Sequence, residues 1–119
     1  MEKLDEFASR STELTMTTLG VSSECREIRK LTIGTGPVSI LMWSQMHGDE
    51  PTHTGVLLAL LETCIAADRS SDVDQLLAKC QLHIIPMLNP DGVERQSRFN
   101  AQGIDVNRDA RNLQSPEAQ

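Results

Sequence analysis

Two short apolar runs on either side of a helical stripe constrain the fold of this chain most strongly. Residues 38–43 and 82–88 are nearly continuously apolar, which is typical of strands covered on both faces. Between them, residues 51–67 predict a helix, because apolar residues such as Leu57 and Leu61 recur at helical spacing and Val56 broadens the buried stripe. A strand–helix–strand crossover implies a parallel strand pair. The sequence therefore predicts an α/β sandwich.

The other elements are predicted from turn signals and composition. Residues 12–19 and 26–33 predict a hairpin around a turn at 20–23, and residues 72–80 predict a second helix capped by Ser71 and Asp74. Pro86 predicts that its strand ends near a sheet edge or a bulge. Residues 1–10 predict a short polar helix or a flexible arm, and loop signals dominate after Asn89. The 119 residues are expected to form at most one domain.

Composition excludes several classes of function. The net charge of -6 argues against a nucleic-acid partner, since phosphate binding needs a basic surface. No apolar run approaches the roughly 20 residues of a membrane span, and the charged N-terminus is unlike a signal peptide. Cys25, Cys64 and Cys80 have no metal-binding or disulfide spacing, so they predict free thiols. We therefore expect a cytoplasmic protein with no membrane contact.

The loop after the first apolar run contains a candidate metal-binding pair. His47 and Glu50 follow the carboxyl end of a buried strand, where α/β sheets bind their ligands. An imidazole and a carboxylate suit Zn²⁺, and a catalytic zinc site needs three protein ligands. The alternative for this pair is a structural loop histidine and a glutamate at a helix N-terminus. His53 is a weaker candidate ligand, and His83 is expected to be a hydrogen-bonded residue of the core.

An arginine-rich segment further along predicts a site for a small anion. Arg108 offers a planar fork that can pair with a carboxylate, and Asn107 can add a hydrogen bond. The alternation of Asp105, Asn107 and Arg108 with Ile104 and Val106 would turn the polar side chains one way. Arg98 could reach the same cavity and stabilise a developing oxyanion. The alternative is a solvated loop with surface arginines.

The sequence Asn-Pro-Asp-Gly at 89–92 predicts a tight turn that shapes this loop. Together with His47-x-x-Glu50 and with Arg98 followed by Gly103 through Arg108, it resembles the M14 (carboxypeptidase A-like) zinc metallocarboxypeptidase family. Cys25-Arg26-Glu27-Ile28 also resembles the Gly-Arg-x-Ile strand start of that family, with cysteine in place of glycine. The resemblance extends over roughly residues 20–112.

The resemblance implies a fold and a role for each matching residue. The fold would be the N-terminal portion of the three-layer zinc-carboxypeptidase (phosphorylase/hydrolase-like) fold, with a mixed sheet. His47 and Glu50 would be two of three zinc ligands, with Asp105 behind them to orient a histidine. Arg98 would polarise the scissile carbonyl, while Asn107 and Arg108 would hold the terminal carboxylate of a peptide. Zinc-activated water would attack, and a glutamate would act as general base.

Parts of the family pattern have no match in this chain. The third zinc ligand, the later tyrosine and the late general-base glutamate are absent, and the chain contains no tyrosine at all. Asp49 stands where secreted digestive members carry arginine, and Asp109 where many members carry asparagine. We therefore expect residues 1–119 to be one partial domain, the N-terminal segment of a peptidase catalytic domain.

Two other functions are compatible with these residues. An amidohydrolase of the aspartoacylase or succinylglutamate desuccinylase type shares the His-x-x-Glu and Asp-x-Asn-Arg elements and would cleave an N-acyl amino acid. A non-catalytic fragment with an oligomeric or binding role is the third alternative, since an incomplete sheet would expose an edge for self-pairing.

Overall fold

The computed structural model describes residues 2–119. Its helices are α1 (Glu2–Ser9), α2 (Thr52–Ile65), α3 (Ser71–Lys79) and α4 (Pro90–Arg95), and its strands are β1 (Thr15–Val21), β2 (Glu27–Ile33), β3 (Val38–Trp43) and β4 (Cys80–Ile85). Two short 3₁₀ helices follow, Val106–Arg108 and Pro116–Ala118. Of the two expectations for residues 1–10, residues 2–9 adopt the helix.

The four strands form one mixed sheet in the order β1-β2-β4-β3. β1 and β2 are the predicted antiparallel hairpin, and β2 is antiparallel to β4. β3 runs parallel to β4, with Val38 opposite Cys80 and Trp43 opposite Ile85. The predicted crossover through α2 and α3 is therefore confirmed. β4 lies inside the sheet, so the expectation of an edge or a bulge at Pro86 was wrong; the proline simply follows the last residue of the strand.

Other elements lie on both faces of the sheet, which gives the three layers that the resemblance implied, although Leu41 and Trp43 of β3 are about half exposed. One face carries the main core, where Leu31, Ile33 and Ile84 pack with residues of α1, α2 and α3. Ile28 and Ile85 alternate with these residues along their strands, so they face the opposite side. The segment after β4 also packs against the sheet, since its 3₁₀ helix Pro116–Ala118 contacts β1.

Two local expectations were wrong. Helix α3 begins one residue earlier than predicted, with Ser70 at the N-cap and no side-chain capping bond, so Ser71 and Asp74 form no capping box. Val56, expected on the buried stripe of α2, is 60% exposed. Among residues 2–119, no helix is both long enough and apolar enough to cross a bilayer.

Candidate active site

His47 lies in the loop that leaves the carboxyl end of β3, and Glu50 stands just before α2. Their side chains converge, with the Nδ1 atom of His47 3.2 Å from the Oε1 atom of Glu50. His47 is buried, whereas 59% of the Glu50 side chain is exposed. The loop therefore presents one fixed imidazole and one accessible carboxylate to the same point.

Asp105 contacts the other ring nitrogen of His47, with Oδ1 3.0 Å from Nε2. Burial raises the pKa of the Asp105 carboxyl, but hydrogen bonds from His47 and Arg98 outweigh it and leave that pKa below its usual value. An ionised carboxylate only accepts hydrogen bonds, so in the neutral imidazole the proton belongs on Nε2. Nδ1 is then left with a free lone pair directed towards Glu50, which is the state of a metal-binding histidine.

The chemistry of this pair fits a zinc ion. The Nδ1 lone pair and the carboxylate oxygen are both acceptors, and at 3.2 Å they repel each other unless a positive charge lies between them. Ligand bonds of about 2.0–2.1 Å in a tetrahedral site place two donor atoms about 3.3 Å apart. His47 and Glu50 could therefore hold zinc, with Asp105 orienting the imidazole. Within residues 2–119, however, no group of three His, Cys, Asp or Glu side chains could hold a metal ion.

Arg98 joins the same group of side chains through Asp105. Its Nε and Nη2 atoms donate to Oδ2 of Asp105 at 3.2 and 3.1 Å, and its Nη1 atom lies 3.8 Å from Glu50 Oε1. The Arg98 side chain is 41% exposed, and only one edge of its guanidinium is paired with Asp105. The structure thus places this cation beside the two candidate ligands.

Asn107 and Arg108 occupy the 3₁₀ turn that follows Asp105. The Asp105 side chain accepts from the Asn107 amide at 3.0 Å, which closes the turn, and Val106 anchors it in the interior. Asn107 lines a cleft of about 330 Å³ together with His47, Glu50 and His53. Arg108 is exposed and donates to the Asn107 carbonyl at 3.3 Å. Val106 is buried as the expected alternation requires, but the backbone turns after Asp105, and Arg108 does not line the cleft with Asn107.

The two remaining histidines have different surroundings. His53 is exposed on the first turn of α2 and lines the cleft beside His47. His83 is half-buried, and its Nδ1 atom lies 3.2 Å from the Thr32 hydroxyl across the β2–β4 pair. The predicted hydrogen bond of His83 is therefore present.

Residues 89–92 support the His47 loop rather than forming the predicted tight turn. They begin α4: Asn89 is the N-cap and accepts from the Gly92 amide at 2.8 Å, and Pro90 occupies the first helical turn. The side-chain amide of Asn89 also donates to the Met46 carbonyl at 3.2 Å. The motif thus links a helix start to the backbone beside His47, a role that reasoning from sequence missed.

Gly48 and Gly92 allow the loop and the helix to touch. A Cβ atom on Gly48 would lie 1.9 Å from the backbone carbon of Gly92. The Gly48 amide donates to the Ser97 carbonyl at 2.9 Å, and Ser97 in turn donates to the Gly92 carbonyl. The position of His47 therefore depends on direct backbone contact with α4.

Comparisons with known proteins agree with this geometry. The family model for the zinc carboxypeptidases, peptidase M14, matches residues 1–116. Carboxypeptidase E of Caenorhabditis elegans is 32% identical over 95% of this chain, which spans 29% of that protein.

Solved structures resemble the fold over nearly the whole chain. A metallo-carboxypeptidase from Burkholderia cenocepacia superposes with a TM-score of 0.85 and 25% identity over 98% of this chain and 35% of its own. A metallo-carboxypeptidase from Pseudomonas aeruginosa, solved with (2-guanidinoethylmercapto)succinic acid, gives 0.82 and 26% over 98% of this chain and 33% of its own. The chain thus spans about a third of the length of these relatives, and it belongs to the zinc carboxypeptidase family, peptidase M14.

Proposed function

We propose that this chain supplies part of the active site of a zinc-dependent metallocarboxypeptidase, in which His47 and Glu50 bind the metal. The observation that carries the proposal is the meeting of His47 Nδ1 and Glu50 Oε1 at 3.2 Å, with Asp105 on the opposite ring nitrogen. Zinc at such a site activates water and polarises a carbonyl group. Asp105 keeps the imidazole in the tautomer that leaves Nδ1 free.

The arginine-rich segment would recognise the substrate. Arg98 can turn its open edge towards a scissile carbonyl oxygen and stabilise the negative charge that develops there. Asn107 at the cleft wall and Arg108 next to it would bind the terminal carboxylate of a peptide, which would select for cleavage at a C-terminus. Arg108 must rotate out of its contact with the Asn107 carbonyl to do so.

The class of substrate is a peptide with a free carboxylate. The compound bound to the Pseudomonas aeruginosa relative is a succinic acid derivative, so that protein accepts a ligand with free carboxyl groups. The same preference fits Arg98, whose Nη1 atom lies 3.8 Å from Oε1 of the cleft-lining Glu50. A third zinc ligand and a general base are further requirements, and we propose that groups outside these 119 residues supply both.

A zinc titration of the purified chain tests the metal site. We expect zinc to bind weakly, because two ligands are one fewer than a catalytic site uses. His47→Ala should lower the affinity by about tenfold or more, while His83→Ala, a matched histidine on the sheet, should leave it unchanged. Equal affinity in the wild type and in His47→Ala, measured by calorimetry, would contradict the proposal.

The choice of substrate separates this proposal from the amidohydrolase alternative. The family match favours the peptidase, so we expect a blocked dipeptide with a free carboxylate to bind and N-acetylaspartate not to bind. Binding of both compounds to the zinc-loaded chain can be followed by NMR through the side chain of Asn107. A preference for N-acetylaspartate would favour the amidohydrolase.

The free edge of β3 bears on the oligomeric alternative. Val38, Leu41 and Trp43 are about half exposed, and β3 is an outer strand of the described sheet. Such an edge can pair with another chain. Light scattering of the purified chain tests self-association, and a clean monomer would count against it.

The cytoplasmic location stays a prediction.

A further inference from the structure

Gln45 has an unusual backbone conformation just before the His47 loop. Its φ is +45°, in the left-handed region that residues other than glycine, asparagine and aspartate rarely adopt. Its side chain is also buried, with 7% of the residue exposed. Strained and buried polar residues persist only where surrounding contacts hold them, and they cluster at functional sites.

The side-chain amide of Gln45 connects the loop to the start of α2. Its Nε2 atom donates to the Gly48 carbonyl at 3.1 Å, and its Oε1 atom accepts from the Thr54 hydroxyl at 2.8 Å. The Gly48 carbonyl can only accept, so the amide orientation is determined by its partners. One side chain thus spans the segment between the residue after His47 and the helix that Glu50 precedes.

The backbone of Gln45 is held from the other side of the loop. Its carbonyl accepts from the backbone amide of Asn89 at 3.0 Å, and the adjacent Ser44 carbonyl accepts from the backbone amide of Leu88 at 3.0 Å. Thr54, the partner of the Gln45 side chain, also lies 3.0 Å from the Ser44 hydroxyl and 2.9 Å from the Pro86 carbonyl. Gln45 therefore forms hydrogen bonds to the segment after β4, to α2 and to the His47 loop.

We propose that Gln45 is a positioning residue that holds the His47 loop so that His47 and Glu50 meet at one point. The inference rests on the proposed zinc role of that pair. Gln45 has no bond to either candidate ligand; it acts by fixing the Gly48 carbonyl between them. The left-handed backbone lets its carbonyl pair with Asn89 while its side chain reaches Gly48.

Gln96 offers a matched control for backbone strain. It is also a glutamine with a left-handed backbone, φ +48°, but it is exposed at the end of α4. Glycine at either position relieves the strain, and at Gln45 it also removes the buried amide. Zinc affinity of the purified chain, measured by calorimetry, should fall about tenfold in Gln45→Gly and stay unchanged in Gln96→Gly.

A conservative variant separates positioning from general loss of packing. Gln45→Asn keeps an amide and suits the left-handed backbone, but it is one methylene shorter and cannot reach both Gly48 and Thr54. We expect its zinc affinity to lie between those of the wild type and Gln45→Gly. Wild-type affinity in Gln45→Gly would overturn the inference, whatever the thermal stability of the variant.

Amide hydrogen exchange in the metal-free chain keeps the two proposals distinguishable. The Gly48 and Glu50 amides donate to the Ser97 and His47 carbonyls at 2.9 and 3.2 Å. Their exchange should accelerate about tenfold in Gln45→Gly, while amides of β4 exchange as in the wild type. Unchanged exchange at both would overturn the inference. If the wild-type chain binds no zinc, the zinc role fails, and this measurement still decides whether Gln45 holds the loop.

Discussion

Asp91 and Asp105 have the same kinds of partner but different surroundings. Each aspartate accepts hydrogen bonds from one arginine, one further side chain and one backbone amide. The Asp91 cluster consists of Asp91 with Ser22, Arg26 and the Glu24 amide; the Asp105 cluster consists of Asp105 with His47, Arg98 and the Asn107 amide. The Asp91 side chain is fully buried, whereas 17% of the Asp105 side chain is exposed.

The two aspartate clusters differ in the parts of the molecule that they connect. The donors of the Asp91 cluster lie on the β1–β2 turn and its acceptor lies on α4, so the cluster joins two elements of the fold around a fully buried carboxylate. The Asp105 cluster borders a cleft through His47 and Asn107, and Glu50 lines the same cleft. The Asp91 cluster therefore stabilises the fold, while the Asp105 cluster surrounds the groups that we propose bind a ligand.

Gly48→Ala should have the largest effect, because it separates the loop of the Asp105 cluster from the helix of the Asp91 cluster. The added Cβ would lie 1.9 Å from the backbone carbon of Gly92, and no side-chain movement can relieve this clash. We expect a loss of about 3 kcal/mol or more in the free energy of unfolding, measured by urea denaturation.

Gly55→Ala is the control for this substitution. Gly55 lies in α2, and nothing would lie within 4 Å of its added Cβ. Alanine is the better helix former, so we expect a gain of about 0.5–1 kcal/mol. A small effect of Gly48→Ala would show that the loop and α4 can move apart, and the two clusters would then be independent.

Removal of the two aspartates compares the clusters directly. Asp91→Ala leaves the buried Ser22 hydroxyl and the Glu24 amide without their acceptor, so we expect a loss of about 2–3 kcal/mol in the free energy of unfolding. Arg26 is partly exposed and keeps Glu24 as a partner, which limits the loss. Asp105→Ala should cost about 1 kcal/mol, because Arg98 can turn to solvent.

Zinc titration of the same two variants gives the opposite ranking. Asp105→Ala should weaken zinc binding about tenfold, because His47 loses the partner that sets its tautomer. Asp91→Ala should bind zinc as the wild type does under conditions in which it is folded. If Asp105→Ala lost more stability than Asp91→Ala and kept its zinc affinity, the assignment of the two roles would be reversed.

The sequence predicted the parts of this comparison that are local. The crossover, the hairpin and the pairing of His47 with Glu50 follow from apolar patterns and from short spacings along the chain. The Asp91 cluster was not predictable, because Ser22 and Asp91 are separated by 69 positions and nothing local indicates their contact. Asn89 shows the same limit, since an asparagine before Pro-Asp-Gly suits a tight turn and a helix N-cap equally well.

Two further features could not be predicted because the backbone decides them. Alternating polar residues at 105–108 suggested side chains on one face, but the Asp105 side chain closes a 3₁₀ turn, and Arg108 does not line the cleft with Asn107. The left-handed backbone of Gln45 is equally invisible, since glutamine is not a residue that signals such a conformation.

Acidification should weaken the Asp91 cluster in a defined pH range. Burial raises the pKa of the Asp91 carboxyl, but the hydrogen bonds from Ser22, Arg26 and the Glu24 amide outweigh it and hold the pKa below the usual value of 3.8. A depressed pKa stabilises the fold above the unfolded value and loses that contribution as the pH falls through the folded one. The contribution of Asp91 is therefore complete near neutral pH and decreases below about pH 4.

Asp91→Asn isolates this contribution from that of the other carboxylates. Asparagine does not titrate, so the difference in free energy of unfolding between the wild type and the variant should shrink from pH 7 to pH 3. Urea midpoints at each pH measure it. A difference that stays constant across this range would mean that the folded chain does not depress the pKa of Asp91.

Cys25→Gly should have a smaller effect than the removal of Asp91, and it should fall on the Asp91 cluster alone. Cys25 has φ +60° in the β1–β2 turn, between the Glu24 amide and Arg26, which both contact Asp91. Glycine adopts this backbone without steric cost, so we expect a gain of about 1 kcal/mol in the free energy of unfolding and no change in zinc affinity. A loss of stability would show that the Cys25 side chain makes a contribution larger than its backbone strain. A change in zinc affinity would instead connect the Asp91 cluster to the Asp105 cluster.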